Sequence, residues 1–165
     1  MAPPQVGDLD CKDPFALAAA RIVELRGAEV VDHSRQVLDL SDIERLHQMR
    51  VATRRLRAAM EIFAPCFPRK RHKAALREVK EIAAALGERR DRDVSIEALE
   101  AFADAVAQAD RPGVRVLIDR LRAEQGRANE ELRESLTEER LAELRRTLAE
   151  LATEARATVP EAVRT

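Results

Sequence analysis

The sequence contains no tryptophan and no tyrosine, and its aromatic content is 2%, four phenylalanines in all. Platforms for stacking nucleobases are therefore scarce, which weighs against single-stranded nucleic acid as a ligand. Cysteine is sparse too. Cys11 and Cys66 lie far apart with no Cys-x-x-Cys pair, so they read as unpaired thiols in a reducing compartment, not a disulfide framework or a zinc site. No stretch approaches the roughly 18 to 20 apolar residues that span a bilayer, and the first residues, Met-Ala-Pro-Pro-Gln-Val-Gly-Asp, have neither a basic region nor an apolar run. The expectation is a soluble, cytoplasmic protein.

The signatures of phosphate chemistry are missing as well. There is no Gly-rich phosphate loop, no Gly-x-Ser-x-Gly and no His-Glu-x-x-His, so the usual nucleophile and general-base constellations are absent. Asp91 and Asp93 suggest a metal site at first sight. Two carboxylates two residues apart do not share a helical face, however, and no histidine stands at ligand spacing to complete a set. The expectation is a binding module rather than an enzyme, with no metal or cofactor of its own.

What the chain does have is charge and helix formers. Charged residues make up 36% of its 165 residues, and Ala, Leu, Glu and Arg dominate, the profile of one helical bundle with charged outer faces. Net charge is only −1, so any anion site must arise from local segregation. From Arg45 to Lys80 there are 11 Lys and Arg against 2 Asp and Glu, a balance of +9; the remainder holds 18 against 28, a balance of −10.

Apolar periodicity predicts an all-α antiparallel bundle of four to five helices over residues 13–159, with a flexible N-terminal segment, 1–12, and a C-terminal tail, 160–165. Asp13-Pro14 reads as an N-cap followed by proline at the first helical position. The first helix then runs to about Gln36, with Phe15, Ala18, Ile22 and Leu25 as its stripe and Gly27 either loosening it or permitting close packing. Ser41-Asp42-Ile43-Glu44 fits a capping box for a second helix that ends before Pro65. Cys66-Phe67 between prolines makes an elbow, and Pro68 opens a third helix in which Gly87 marks a bend or a close approach. The pattern resumes with Ile96, Leu99, Phe102 and Val106, and Asp110-Arg111-Pro112-Gly113 is a turn. A fourth helix carries Val114, Leu117, Leu121 and Leu132; Thr137 caps a last one that ends at Val159-Pro160. His33 and His72 read as surface residues.

The second helix holds the candidate site. Leu46, Met49, Thr53, Leu56, Met60 and Phe63 fall on one face, while His47, Arg50, Arg54 and Arg57 form a flanking stripe with nothing acidic before Glu61. From Arg50 to Arg57 the stripe covers about 10 Å of axis at ~1.5 Å per residue. Arg55 points elsewhere. On the third helix Arg69, Lys73, Arg77 and Lys80 fall within an arc of about 80° beside another apolar face. A hairpin of the two helices brings both stripes to one side. Arginine's planar fork meets two phosphate oxygens and stays charged at physiological pH, which suits a flexible line of phosphates better than one deep pocket. His47 is either a half-buried histidine satisfied by a neighbour or a phosphate donor that strengthens as pH falls towards about 6.5. A solvated charged face is the plain alternative for both stripes.

These residues resemble a known family. His47-Gln48-Met49-Arg50-Val51-x-x-Arg54-Arg55-Leu56-Arg57, followed by Ala85-Leu86-Gly87-x-x-Arg90-Asp91-x-Asp93-Val94, is similar to the paired signature of the CHAD domain, the conserved histidine α-helical domain. The resemblance implies an all-helical fold that binds inorganic polyphosphate in a basic groove, in some members at polyphosphate granules. It assigns His47, Arg50, Arg54, Arg55, Arg57 and Arg90 to the signature; the hairpin and the phosphate chemistry, independently of it, set Arg69, Lys73, Arg77 and Lys80 as the opposing wall. Asp91 and Asp93 are expected to orient Arg89, Arg90 or the second helix's arginines through ion pairs. Complete members carry two related halves, and this sequence resembles the N-terminal half, without a second motif after Pro160; a homodimer completing the groove is the corresponding expectation. Alternatives are nucleic-acid binding through the same face, a metal-dependent phosphohydrolase, and a purely structural helical adaptor.

Overall fold

A computed structural model of the chain describes residues 9–10 and 12–160. Most of the N-terminal segment, with Cys11, and residues 161–165 of the tail lie outside the described residues. The described residues form five α-helices and no strand: α1 Phe15–Ser34, α2 Ile43–Ile62, α3 Arg69–Ala105, α4 Arg111–Ser135 and α5 Glu138–Ala157, with a short 3-10 turn, Ala64–Cys66, between α2 and α3. α1 packs between α2 and α5, α3 lies against α2 and α5, and α4 runs back along α3.

The main core gathers Val23 and Val30 of α1, Leu46, Met49, Leu56 and Met60 of α2, Val79, Ile82 and Leu86 of α3, Leu132 of α4 and Leu144, Leu148 and Leu151 of α5. Each such side chain contributes about 1.5–3 kcal/mol when taken out of water. A smaller cluster, Ile96, Val114 and Ile118, holds the far end of the α3–α4 hairpin. Gly27 is where α1 and α5 approach closely: a Cβ there would stand 2.7 Å from Leu148 Cδ1.

Several local expectations are corrected. α1 buries Leu17, Ala19, Ala20, Val23 and Val30, with Ala18 and Ile22 of the expected stripe packed beside them, while Phe15 is 56% exposed; packed against two helices, α1 has a wide buried face and not a single seam. Asp13 is not its cap. Pro14 takes that position, and the Asp13 carboxylate accepts from Arg21 at 3.0 Å and from the Asp10 N–H at 3.1 Å. α1 also stops two residues short of Gln36, whose φ of 63° turns the chain out of the helix. At α2 the cap is Asp42, accepting from the Glu44 N–H at 3.2 Å. Ser41 is drawn away by Asp39, which accepts from its N–H at 2.9 Å and its Oγ–H at 2.7 Å; these bonds hold the Asp39 carboxyl below its usual range. Gly87 does not interrupt α3, which continues for 37 residues. On α4, Ile118 takes the buried position expected of Leu117, which is 51% exposed. Thr137 caps α5 as read, accepting from the Arg140 N–H at 3.3 Å.

Candidate functional site

The elbow after α2 sets the geometry of the site. The Phe63 N–H closes α2 onto the Ala59 carbonyl at 3.0 Å, and Pro65, lacking an N–H, sits in the 3-10 turn. His72 then locks the return. It is buried, not a surface residue: its Nε2 lies 2.8 Å from the Met60 carbonyl and its ring stacks on Phe67 with centroids 5.7 Å apart. A histidine facing a carbonyl must donate, so this nitrogen carries the proton. The lock presses the first half of α3 against α2 and fixes what faces the stripe.

His47, Arg50, Val51, Arg54 and Arg57 of α2, with Ala83 of α3, line a cleft of about 230 Å³ without one acidic side chain. The Arg50 guanidinium reaches across to α3, where its Nη1 would lie 3.6 Å from a Cβ built on Gly87. His47, Arg50 and Arg54 make no ion pair with any described residue. Arg57 and Lys80 converge on one carboxylate, Glu61, at 4.0 and 3.3 Å. Arg55 is exposed outside the cleft, on its own part of the helix.

The third-helix stripe does not act as one wall. Arg77 pairs with Glu81 at 3.9 Å and lines a different groove, between α3 and α5, beside Glu78 and Arg140. Arg69 and Lys73 are exposed and line neither groove. With α2 on one flank of α3 and α5 on the other, the arc divides: Lys80 pairs with Glu61 of α2, and Arg77, at the far edge of the arc, faces the α5 groove.

Arg90, one turn past Gly87, is half-buried, and its Nη1 is shielded from solvent without a partner among the described residues. The two aspartates divide. Asp93 is buried and accepts from the fully buried Arg89 Nε at 2.9 Å and from Gln125 Nε2 at 2.7 Å. Arg89 Nη1 also donates to Asn129 Oδ1, and Asn129 Nδ2 donates to the Leu38 carbonyl at 3.1 Å. This network ties α3 to α4 and to the α1–α2 loop. Asp91 departs from expectation: its carboxylate is exposed and makes no ion pair with a described residue. Arg89 was identifiable as interior from its register, since Ile82, Leu86, Arg89, Asp93 and Ile96 follow alternating steps of four and three.

Cys66, half-buried in the elbow, is a free thiol whose pKa burial pushes up. Among the described residues no group of three or more His, Cys, Asp or Glu is placed to hold a metal ion, and no helix is long and apolar enough to cross a membrane. No curated protein and no solved structure gives a significant match. The CHAD domain matches residues 21–165, taking in the whole of α2 to α5, the elbow and both halves of the paired motif. The match covers most of the chain and both halves of the paired motif, and the chain belongs to the CHAD domain family.

Proposed function

We propose that the chain binds inorganic polyphosphate through the α2–α3 cleft and does not turn it over. CHAD domains are associated with polyphosphate binding, and one observation carries the reading to this surface: His47, Arg50, Arg54 and Arg57 share a cleft that no carboxylate lines. A linear polyanion meets donors in series there, and each phosphate contact releases counterions, so affinity falls steeply with salt. The shape supports phosphate over nucleobase, since the lining offers no aromatic ring beyond the His47 imidazole. The test is a salt titration of long-chain polyphosphate binding to the wild type and to Arg50→Ala/Arg54→Ala/Arg57→Ala. Loss of both affinity and salt dependence in the variant supports the reading. DNA displacing polyphosphate from the wild type would favour nucleic acid instead, and phosphate release with Mg²⁺ or Mn²⁺ would favour hydrolysis.

The lining also supports pairing of two copies. α2 supplies every cation in it and α3 only Ala83, so a second copy set face to face would supply the missing cationic wall. A mass in solution of twice the chain's 18.5 kDa, at least with polyphosphate bound, is the expected result; a monomer saturating at full affinity would exclude it.

A further inference from the structure

Resting on the polyphosphate reading, we infer that Glu61 is a built-in competitor for the ligand, one that ends the open track of cations and sets how much of a long chain the cleft holds. Glu61 stands at the elbow end of the cleft, where Arg57 lies 4.0 Å from its carboxylate on one side and Lys80 3.3 Å from it on the other. Among the described residues Arg57 is the one side chain of the cleft lining that already owns a counterion, which it shares with Lys80 beside the cleft; His47, Arg50 and Arg54 have none. The track therefore has a free segment, His47 to Arg54, and a segment whose charge is partly neutralised in advance.

The Glu61 side chain is 47% exposed, and both pairs sit in water. Exposed pairs are weak and readily exchanged, so a phosphate can displace the carboxylate from Arg57 and Lys80, but only against repulsion between the two anions. A chain long enough to pass Arg54 meets that repulsion; a short anion held at Arg50 and Arg54 does not. Glu61 thus penalises occupancy beyond the free segment and lowers affinity for long chains selectively.

The experiment compares wild type with Glu61→Gln, an isosteric change that removes only the charge, using long-chain polyphosphate and pyrophosphate over a range of salt. Glu81→Gln is the control for net charge, since Glu81 pairs with Arg77 and Arg140 on the α5 side. Glu61→Gln is expected to bind long chains about three- to tenfold more tightly, with a salt slope steeper by about one to two, and pyrophosphate no better. Glu81→Gln should match the wild type. Long-chain affinity that is unchanged or reduced in Glu61→Gln, while the wild type binds, overturns this inference and leaves the parent reading standing; equal gains in both Gln variants overturn it likewise. Failure of wild type and Glu61→Gln alike to bind polyphosphate removes the parent reading, and this inference with it.

Discussion

Arginine is plentiful both on the α2 cleft and on the surfaces between α5 and its neighbours, yet the two regions are electrostatic opposites. Around α5, Arg140 reaches Glu78 at 2.6 Å and Glu81 at 3.1 Å, Arg71 bridges to Glu150 and Glu154, and Arg156 is paired with Glu24, which raises its pKa further. Across the cleft, His47, Arg50 and Arg54 face no carboxylate among the described residues. One set of basic side chains joins helices; the other joins none. Arginine content alone does not distinguish them. The distribution of acids does.

The largest effect should come from the buried extreme of the paired class. Arg89 is fully buried against Asp93, Asn129 and, through them, the α1–α2 loop. Arg89→Ala would leave the Asp93 carboxylate buried and uncompensated, at a cost of about 3–5 kcal/mol. For a chain of this size that lowers Tm by roughly 6 to 20 °C, read by thermal unfolding. Arg89→Ala/Asp93→Ala should recover part of the loss, because what costs most is the unpaired charge. A single variant that unfolds like the wild type would show the pair to be solvated.

Next in size is the contrast between the cleft and its paired counterpart. Removing Arg50, Arg54 and Arg57 together takes away three charge-assisted contacts and should weaken polyphosphate binding about 100-fold or more at moderate salt. Arg140→Ala/Arg156→Ala removes nearly as much charge from the α5 side. It should change affinity less than about threefold while costing on the order of 1–2 kcal/mol of stability, its pairs being half-exposed. Equal losses of affinity in the two variants would mean that the ligand senses net charge and not the cleft.

Much of this was legible in the sequence, and the misses share a cause. Helix number and order, the elbow, the Thr137 cap and the α2 stripe followed from periodicity and breakers, which act within one turn or one helix. The burial of His72 depends on the Met60 carbonyl, which lies on another helix. The separation of Arg77 from Lys80 depends on which neighbour flanks each edge of α3, and an arc on one helix does not contain that. The Ser41 side chain has a rival acceptor in Asp39, two residues earlier, and the capping-box pattern does not include it. The Arg89–Asp93 pair, by contrast, lies within one turn of one helix, and the expected ion pair is present.

The smallest predicted effect asks whether the cleft reads phosphate geometry or only charge. Arg54→Lys keeps the charge but replaces a planar fork with a compact ammonium that donates without bidentate alignment. Because Arg54 is unpaired and exposed among the described residues, the substitution should leave folding untouched. The salt slope counts charges neutralised and should stay constant, whereas affinity for polyphosphate should fall by about two- to fivefold as the fork is lost. Lysine substituted at Arg140, where two carboxylates are held at once, should instead register in thermal stability and not in binding. Unaltered affinity in Arg54→Lys would make the stripe a row of point charges, and the preference for phosphate would then rest on the absence of acids alone.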